Sequence, residues 1–226
     1  MTEPETGPVE AAVPGEPAER GEPASAGESA ASAEAGAPAA PDEPAAPGVL
    51  FVCTGNLCRS PLAAAILRVR LEEAGLAADV TSVGTAAPIG LSPDRKQRRI
   101  AQDLGVDLNG HRAMPLMPQH LVGVDLVLTM TAEHAAAVLE LDPSAGDRTV
   151  TLRAAAWKSK MLRGGPFEFA EWVRRLTADV PVAERPRTDP TNDLPDPVGG
   201  PWREYRAVGE EVDTLVATLV EHWSGR

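Results

Sequence analysis

One stretch of sequence decides the fold: Val49-Leu50-Phe51-Val52-Cys53-Thr54-Gly55-Asn56-Leu57-Cys58-Arg59-Ser60-Pro61. Its first four apolar residues predict a buried strand, and Ser60-Pro61 predicts the N-cap and first residue of a helix. Cys53 ends the strand, and Arg59 stands six positions later, where the helix begins. The loop N–H groups and the helix N-terminus would then point at one spot, which favours an oxyanion and a thiolate alike.

Cys53 and Arg59 form the candidate reactive pair. Cys53 is the predicted nucleophile, because the positive field of the loop favours the thiolate, which is the reactive form of cysteine. Arg59 offers two N–H donors to two oxygens of a phosphate group. The alternative for Cys53 is a buried structural thiol, which would not need an arginine and a glycine-bearing turn beside it. The loop therefore predicts a cysteine-dependent phosphatase.

The charge of the chain is concentrated at one end. Its 226 residues carry a formal net charge of −12, and residues 1–48 hold ten acidic residues against a single arginine. This segment is built from Ala, Pro, Glu, Gly and Ser, and it cannot bury enough apolar surface to offset its ordering entropy. We predict a disordered acidic tail over 1–48 and a phosphatase domain over 49–224. The domain is nearly balanced in charge, which argues against general nucleic-acid binding.

The cysteine content and hydropathy predict a cytoplasmic protein. Cys53 and Cys58, the two cysteines of the chain, lie in the same loop, so no disulfide framework is expected. The N-terminus is acidic and lacks the apolar core of a signal peptide. No run of about 18 apolar residues occurs, so no membrane span is expected.

Strands and helices alternate along the domain. After the first strand, further strands are predicted at Asp79–Val83, Asp125–Met130 and Thr149–Leu152, each preceded by a helical segment. Alternation of this kind predicts an α/β fold of three layers, a four-stranded parallel twisted sheet with helices on both faces. Ligands of such sheets bind at the carboxyl ends of the strands, which is where Cys53 is placed.

Further helix starts are predicted from capping residues, and the region after residue 152 has a weaker pattern. Ser92-Pro93 repeats the Ser-Pro helix start, and Thr131 is predicted to cap the helix after the third strand. Segment 153–195 is predicted to be less regular, with one helix near Phe167–Leu176 and a proline-rich surface loop after it. The last helix is expected to begin near Pro201.

The sequence at 52–61 resembles the signature of the low-molecular-weight protein tyrosine phosphatase family. The likeness extends to these residues: Gly84-Thr85, His111, Asp125–Met130, His134 and Asp196-Pro197-Val198-Gly199. It therefore spans about 49–224, with 153–195 the poorly matched part. Because the two ends of this motif set stand about 140 residues apart, coincidence is a poor explanation.

The resemblance implies a role for each matching residue. Cys53 would attack phosphorus and form a thiophosphate intermediate, and Arg59 would hold the equatorial oxygens. Ser60 would donate a hydrogen bond to the thiolate, Asn56 would hold the loop in a left-handed turn, and His111 would support Asn56. The implied phosphate-binding residues are Thr54, Gly55, Asn56, Leu57, Cys58, Arg59 and Ser60. No metal and no cofactor are needed, because the arginine and the helix terminus supply the positive field.

Two further roles rest on the resemblance. Asp196 is the expected general acid and base, while Asp193 and the weaker candidate Asp189 stay open, since aspartate beside proline is common in turns. Cys58 could close a reversible disulfide with Cys53 that shields the nucleophile from over-oxidation, or it could simply be a packing residue. The two interpretations of Cys58 are compatible.

The sequence departs from the family at the walls of the pocket. The family usually has an aromatic residue after the Asp-Pro pair, where this chain has Val198, and residues 86–89 also lack one. Trp202 could supply a substitute wall. The predicted substrate is a phosphorylated protein, with phosphotyrosine the first candidate, or a small phosphomonoester. The alternatives are an arsenate reductase that uses an external low-molecular-weight thiol, and a non-catalytic phosphate-binding module.

Overall fold

The computed structural model describes residues 46–163, 167–178 and 191–223. The strands are β1 (Gly48–Cys53), β2 (Asp79–Gly84), β3 (Leu126–Thr129) and β4 (Thr149–Thr151). The helices are α1 (Arg59–Glu73), α2 (Arg95–Asp103), α3 (Ala132–Leu141), α4 (Leu152–Met161), α5 (Phe169–Thr177) and α6 (Trp202–Glu221). Two 3₁₀ turns span Pro118–Leu121 and Pro143–Asp147. The predicted tail falls almost wholly outside the described residues, so the division at residue 48 stays a prediction.

The four strands form one parallel sheet in the order β2-β1-β3-β4. Strand β1 lies at the centre, where Val49 pairs with Val80 on one side and Leu126 on the other. All six residues of β1 are buried, as expected for a strand covered on both faces. This arrangement places Cys53 at the carboxyl edge of the sheet, between the ends of two neighbouring strands.

Helices cover both faces of the sheet, which confirms the predicted three-layer fold. Helices α1, α4, α5 and α6 pack with Val49 and Phe51 on one face, and α2 packs against α6. Helix α3 and the two 3₁₀ turns pack with Leu50 and Val52 on the other face. Alternate residues of β1 thus point into two separate apolar cores. Each fully buried side chain of this kind contributes about 1.5–3 kcal/mol.

Two of the predicted helix caps are wrong, and one is confirmed. Helix α1 begins at Arg59, so Ser60 is its second residue, and no side chain caps this end. Helix α2 is capped by Asp94 and not by Ser92, since the Asp94 carboxylate accepts a hydrogen bond from the Gln97 N–H. Thr131 caps α3 as predicted, through a bond from the N–H of His134. The Ser60 hydroxyl is not available as a cap because it bonds Cys53 and Asn56 in the loop between β1 and α1.

Within the predicted irregular segment 153–195, residues 153–163 and 167–178 are more regular than predicted. Strand β4 ends at Thr151, and Leu152 begins the alanine-rich helix α4, which was not predicted. Helix α5 was predicted, and its Trp172 packs against Phe169 and Trp223, with ring centroids 5.6 Å apart in both pairs. Residues 191–195 carry no helix or strand, in line with the predicted loop, whose earlier part lies outside the described residues.

None of the helices that the structure describes is long and apolar enough to span a bilayer.

Candidate active site

The loop after β1 takes its shape from one asparagine and one glycine. Asn56 has a φ of +50°, the left-handed conformation that asparagine tolerates and that turns the chain back toward α1. Gly84, at the end of β2, lies directly beneath the loop. A Cβ atom on Gly84 would stand 2.5 Å from the Thr54 carbonyl oxygen and 2.7 Å from the Asn56 nitrogen. Any larger residue at position 84 would therefore displace the loop.

The fully buried Asn56 side chain holds this loop in place. Its amide nitrogen donates to the hydroxyls of Ser60 and Ser82, each at 3.0 Å, and its amide oxygen accepts from the Met114 N–H at 2.9 Å. The Asn56 carbonyl, which can only accept, bonds His111 Nε2 at 2.8 Å. Burial lowers the pKa of His111, while this bond opposes the shift. The contact implied by the family resemblance between His111 and Asn56 is thus present.

Cys53 lies among hydrogen-bond donors. Its Sγ is 3.0 Å from the Ser60 hydroxyl and 3.2 Å from the Asn56 nitrogen, and its residue surface is only 2% exposed. The Ser60 hydroxyl also lies 3.2 Å from the Val83 carbonyl oxygen. Since Ser60 has one proton, it can donate to the sulfur when Cys53 is a thiolate and to Val83 when Cys53 is a thiol. Both donors therefore lie where they can hydrogen-bond the Cys53 sulfur when it reacts.

Arg59 connects the loop to Asp196. Its buried guanidinium donates to the Leu194 carbonyl at 2.9 Å and pairs with the Asp196 carboxylate at 2.5 Å. It also donates to the Thr54 hydroxyl at 3.3 Å. The structure therefore brings two residues 137 positions apart in sequence into direct contact, and it places Asp196 at the mouth of the loop.

Asp193 bonds the start of α3, whereas Asp196 pairs with Arg59. Its carboxylate accepts a bond of 2.7 Å from the N–H of Ala132 at the start of α3, and its carbonyl accepts one from Arg153. An aspartate at this place stabilises a helix N-terminus. The Asp196 side chain is 42% exposed and accepts a bond from the Val198 N–H through its second oxygen. Asp189 lies outside the described residues.

A polar chain that the sequence does not predict runs from α3 to the loop. His134 bonds the Thr131 hydroxyl through Nδ1 and the Thr54 hydroxyl through Nε2, both at 2.9 Å. Burial, and then the nearby charge of Arg59, lowers the pKa of His134 to about 3. His134 is therefore neutral at physiological pH. The sequence signal is a histidine three residues after a helix-capping threonine, which by itself indicates only a first-turn residue.

A second missed network holds the turn that carries Asp196. The buried Tyr205 hydroxyl donates to the Asp94 carboxylate at 2.5 Å and accepts from the Gly199 N–H at 3.4 Å. Burial raises the pKa of Tyr205, as does the bond to Asp94. The Lys96 ammonium donates to the Gly200 carbonyl at 2.8 Å. No pattern in the sequence connects Asp94 with Tyr205, because they stand 111 positions apart.

Cys58 differs from Cys53 in its surroundings. Both are free thiols, and the Cys58 thiol donates to the Gln97 amide oxygen at 2.6 Å. Burial raises the pKa of Cys58 well above its ordinary value, as do the nearby Cys53 and Asp196. Cys58 is therefore protonated at neutral pH. The Gln97 amide nitrogen is buried and has no hydrogen-bond partner within the described ranges.

The rim of the site lacks aromatic walls at the two places noted in the sequence. Val198 is 55% exposed and Ile89 is 82% exposed, while Trp202 is half-buried at the start of α6. Over residues 46–163, 167–178 and 191–223, no three acidic, histidine or cysteine side chains gather into a possible metal site.

The chain is similar in sequence to known phosphatases. The family model described as low molecular weight phosphotyrosine protein phosphatase matches residues 48–164. The protein-arginine-phosphatase of Geobacillus stearothermophilus is 32% identical over 173 residues, which cover 76% of this chain and 93% of that protein. The low molecular weight protein-tyrosine-phosphatase Etp of Escherichia coli K12 is 34% identical over 178 residues, covering 79% of this chain and 93% of Etp.

Solved structures show the same fold. A low molecular weight protein tyrosine phosphatase from T. tengcongensis is 27% identical, with a TM-score of 0.59 over 78% of this chain and 99% of its own. The YwlE arginine phosphatase from Geobacillus stearothermophilus is 31% identical, with a TM-score of 0.56 over 77% of this chain and 90% of its own. Both structures match almost over their full length.

The buried neutral His134 predicts acid sensitivity of the fold. Its pKa is about 3 in the folded state against an ordinary value of 6.5, so the unfolded state gains protons first as the pH falls below 6.5. The free energy of unfolding should fall between these values, with a loss from His134 of about 2 kcal/mol at pH 5. Urea denaturation of the wild type and His134→Gln across this range measures it.

The His134→Gln variant should show a shallower fall in stability between pH 7 and pH 5, because glutamine does not titrate. His222→Gln is the matched control, since His222 is exposed at the end of α6. Parallel stability curves for the wild type and His134→Gln would contradict the assignment of a buried neutral His134.

Proposed function

Because the chain belongs to the low molecular weight phosphotyrosine protein phosphatase family and is a cysteine-dependent phosphatase, we propose that it hydrolyses phosphorylated protein side chains through a cysteinyl-phosphate intermediate. The observation that supports this most is the position of Cys53, with donors 3.0 Å and 3.2 Å from its sulfur, beside the Arg59–Asp196 pair. The comparisons favour this function over an arsenate reductase and over a non-catalytic binding module.

In the proposed first step the Cys53 thiolate attacks phosphorus and the bond to the leaving group breaks. The Ser60 hydroxyl and the Asn56 N–H hold the thiolate until it reacts. Arg59 and the N–H groups of residues 54–58 stabilise the charge on the equatorial oxygens. Helix α1 has no side-chain cap, so its first N–H groups are free to bind this oxyanion.

Asp196 is the proposed general acid, and later the general base toward water. It gives a proton to the leaving atom in the first step and takes one from the attacking water in the second. To do so it must exchange its ion pair with Arg59 for contacts with the substrate. The phosphoryl group itself can drive this exchange, because its oxygens are stronger bidentate partners for the guanidinium than a single carboxylate oxygen.

Protein phosphotyrosine is the first candidate substrate, and protein phosphoarginine is the second. The family name and Etp favour phosphotyrosine. The exposed Val198 stands in place of an aromatic wall and favours phosphoarginine, whose side chain does not need to stack on a ring. The relative from Geobacillus stearothermophilus named protein-arginine-phosphatase also favours phosphoarginine. The Asp196 carboxylate would be able to pair with a guanidinium leaving group.

Cys58 is the proposed redox partner of Cys53. It is a free thiol in the same loop, protonated and held by Gln97, so it is protected from reaction until Cys53 is oxidised. A reducing cytoplasmic compartment belongs to the same proposal, because the mechanism needs Cys53 as a thiol or thiolate.

The substrate class is testable with matched peptides. We expect a higher kcat/KM for a phosphotyrosine peptide than for the same peptide carrying phosphoarginine, with arsenate and thiols giving no comparable turnover. Phosphate release measured under identical conditions decides the order. A phosphoarginine peptide that is turned over faster would establish the second candidate, and faster arsenite formation would overturn the phosphatase proposal.

The two aspartates are testable through the leaving group. Asp196→Asn should lower kcat/KM, which reports the first step, about a hundredfold or more for phenyl phosphate and much less for p-nitrophenyl phosphate, whose leaving group needs little protonation. Asp193→Asn, the matched control, should lower stability through its helix cap and leave this leaving-group dependence as in the wild type. If Asp193→Asn showed the leaving-group dependence and Asp196→Asn did not, the general acid would be Asp193.

A further inference from the structure

A basic groove lies beside the active site and takes no part in the chemistry above. It has a volume of about 1000 Å³, and its lining includes four basic residues of α2, Arg95, Lys96, Arg98 and Arg99, together with Trp202 of α6. We call it the α2 groove. Four of the nine residues of α2 are thus cationic, whereas residues 49–226 as a whole carry a net charge of only about −3.

The charges of the α2 groove are poorly compensated. Arg95 and Lys96 occupy the first turn of α2, which contains no acidic residue, although cations are disfavoured at the positive end of a helix. Arg98 and Arg99 stand three and four residues after Arg95, so each also repels Arg95 on the helix surface. Arg99 pairs with Asp103 at 3.0 Å, whereas Arg95 and Arg98 form no ion pair within the described part of the chain. An external anion would relieve this repulsion.

The opposite side of α2 contacts the active site. Gln97 bonds Cys58 in the phosphate-binding loop, and the N-cap Asp94 bonds Tyr205, which holds the turn after Asp196. Lys96 itself bonds the carbonyl of Gly200, four residues after Asp196. The α2 groove therefore borders the turn that carries the proposed general acid.

Resting on the proposed function, we infer that the α2 groove binds an acidic segment of the protein substrate next to its phosphorylated residue. Carboxylates of that segment pair with Arg95 and Arg98, and the half-buried Trp202 offers an apolar surface for the peptide chain. A short acidic peptide fits better than a nucleic acid. The nearly balanced charge of residues 49–226 does not favour general nucleic-acid binding.

The test compares two peptides that share the phosphorylated residue and differ only in their neighbours, Glu and Asp in one and Gln and Asn in the other. A phosphotyrosine pair and a phosphoarginine pair cover both candidate substrates. For the wild-type full chain, we expect kcat/KM about tenfold higher for the acidic peptide at low salt. The preference should fall toward unity at about 0.5 M salt, because the Debye length is then only a few ångströms.

Arg95→Gln/Arg98→Gln should reduce the preference for the acidic peptide to about twofold or less. Lys160→Gln/Arg163→Gln is the matched control, because it removes two exposed positive charges that do not line the groove. Hydrolysis of p-nitrophenyl phosphate, which is too small to occupy the groove, checks that each variant is folded and active. If that ester is not hydrolysed by the wild type, the proposed function itself fails.

Two results would overturn the inference while leaving the phosphatase intact. One is hydrolysis of the small ester with no preference between the acidic and neutral peptides, or with a preference that the Arg95→Gln/Arg98→Gln variant retains. The other is stronger inhibition by a single-stranded oligonucleotide than by the unphosphorylated acidic peptide, with the oligonucleotide effect lost in that variant. This second result would assign the groove to nucleic acid.

Discussion

The site depends on the left-handed turn at Asn56 and the hydrogen bonds that hold it. This buried side chain links the loop to Ser60 in α1, to Ser82 in β2 and to the backbone of Met114. Each contact is made to a different part of the chain, so the loop adopts its shape only when the sheet and its connections have formed. Since an unpaired buried amide costs about 1–3 kcal/mol, the loop is strongly held to this one conformation. This loop conformation places the hydrogen-bond donors around the Cys53 sulfur and orients the N-terminus of α1.

The sequence predicts the parts of the structure that are local. The apolar run of β1 and the loop from Cys53 to Arg59 are contiguous, and their geometry follows from strand, turn and helix chemistry. The resemblance adds Asp196, 137 positions away from Arg59, because its motif is also contiguous. The network of Asp94 with Tyr205 and the bonds of His134 to Thr54 join distant residues with no motif of their own. Helix α4 was missed because alanine-rich segments lack a clear apolar stripe.

Cys53 and Cys58 are five residues apart in the same loop but have different hydrogen-bond and charge surroundings. Cys53 is contacted by donors, and Arg59 lies in the same loop, whereas the Cys58 thiol donates to the Gln97 amide and is kept protonated by burial. The neutral His134 contributes no charge to this balance and instead fixes the Thr54 hydroxyl next to Arg59. The ion pair of Arg59 with Asp196 holds the proposed general acid at the loop.

The central claim is that Cys53 becomes covalently phosphorylated during turnover. Rapid acid quenching of the enzyme with a phosphate-labelled substrate, followed by mass spectrometry of its peptides, tests this directly. The Asp196→Asn variant with labelled p-nitrophenyl phosphate is the suitable pair. This leaving group needs little protonation in the first step, whereas loss of the general base slows hydrolysis of the intermediate. We predict about one phosphoryl group per chain, on Cys53, retained in a Cys58→Ala background and absent after Cys53→Ala. Turnover of substrate with no label on Cys53, or with label on another residue, would contradict the account.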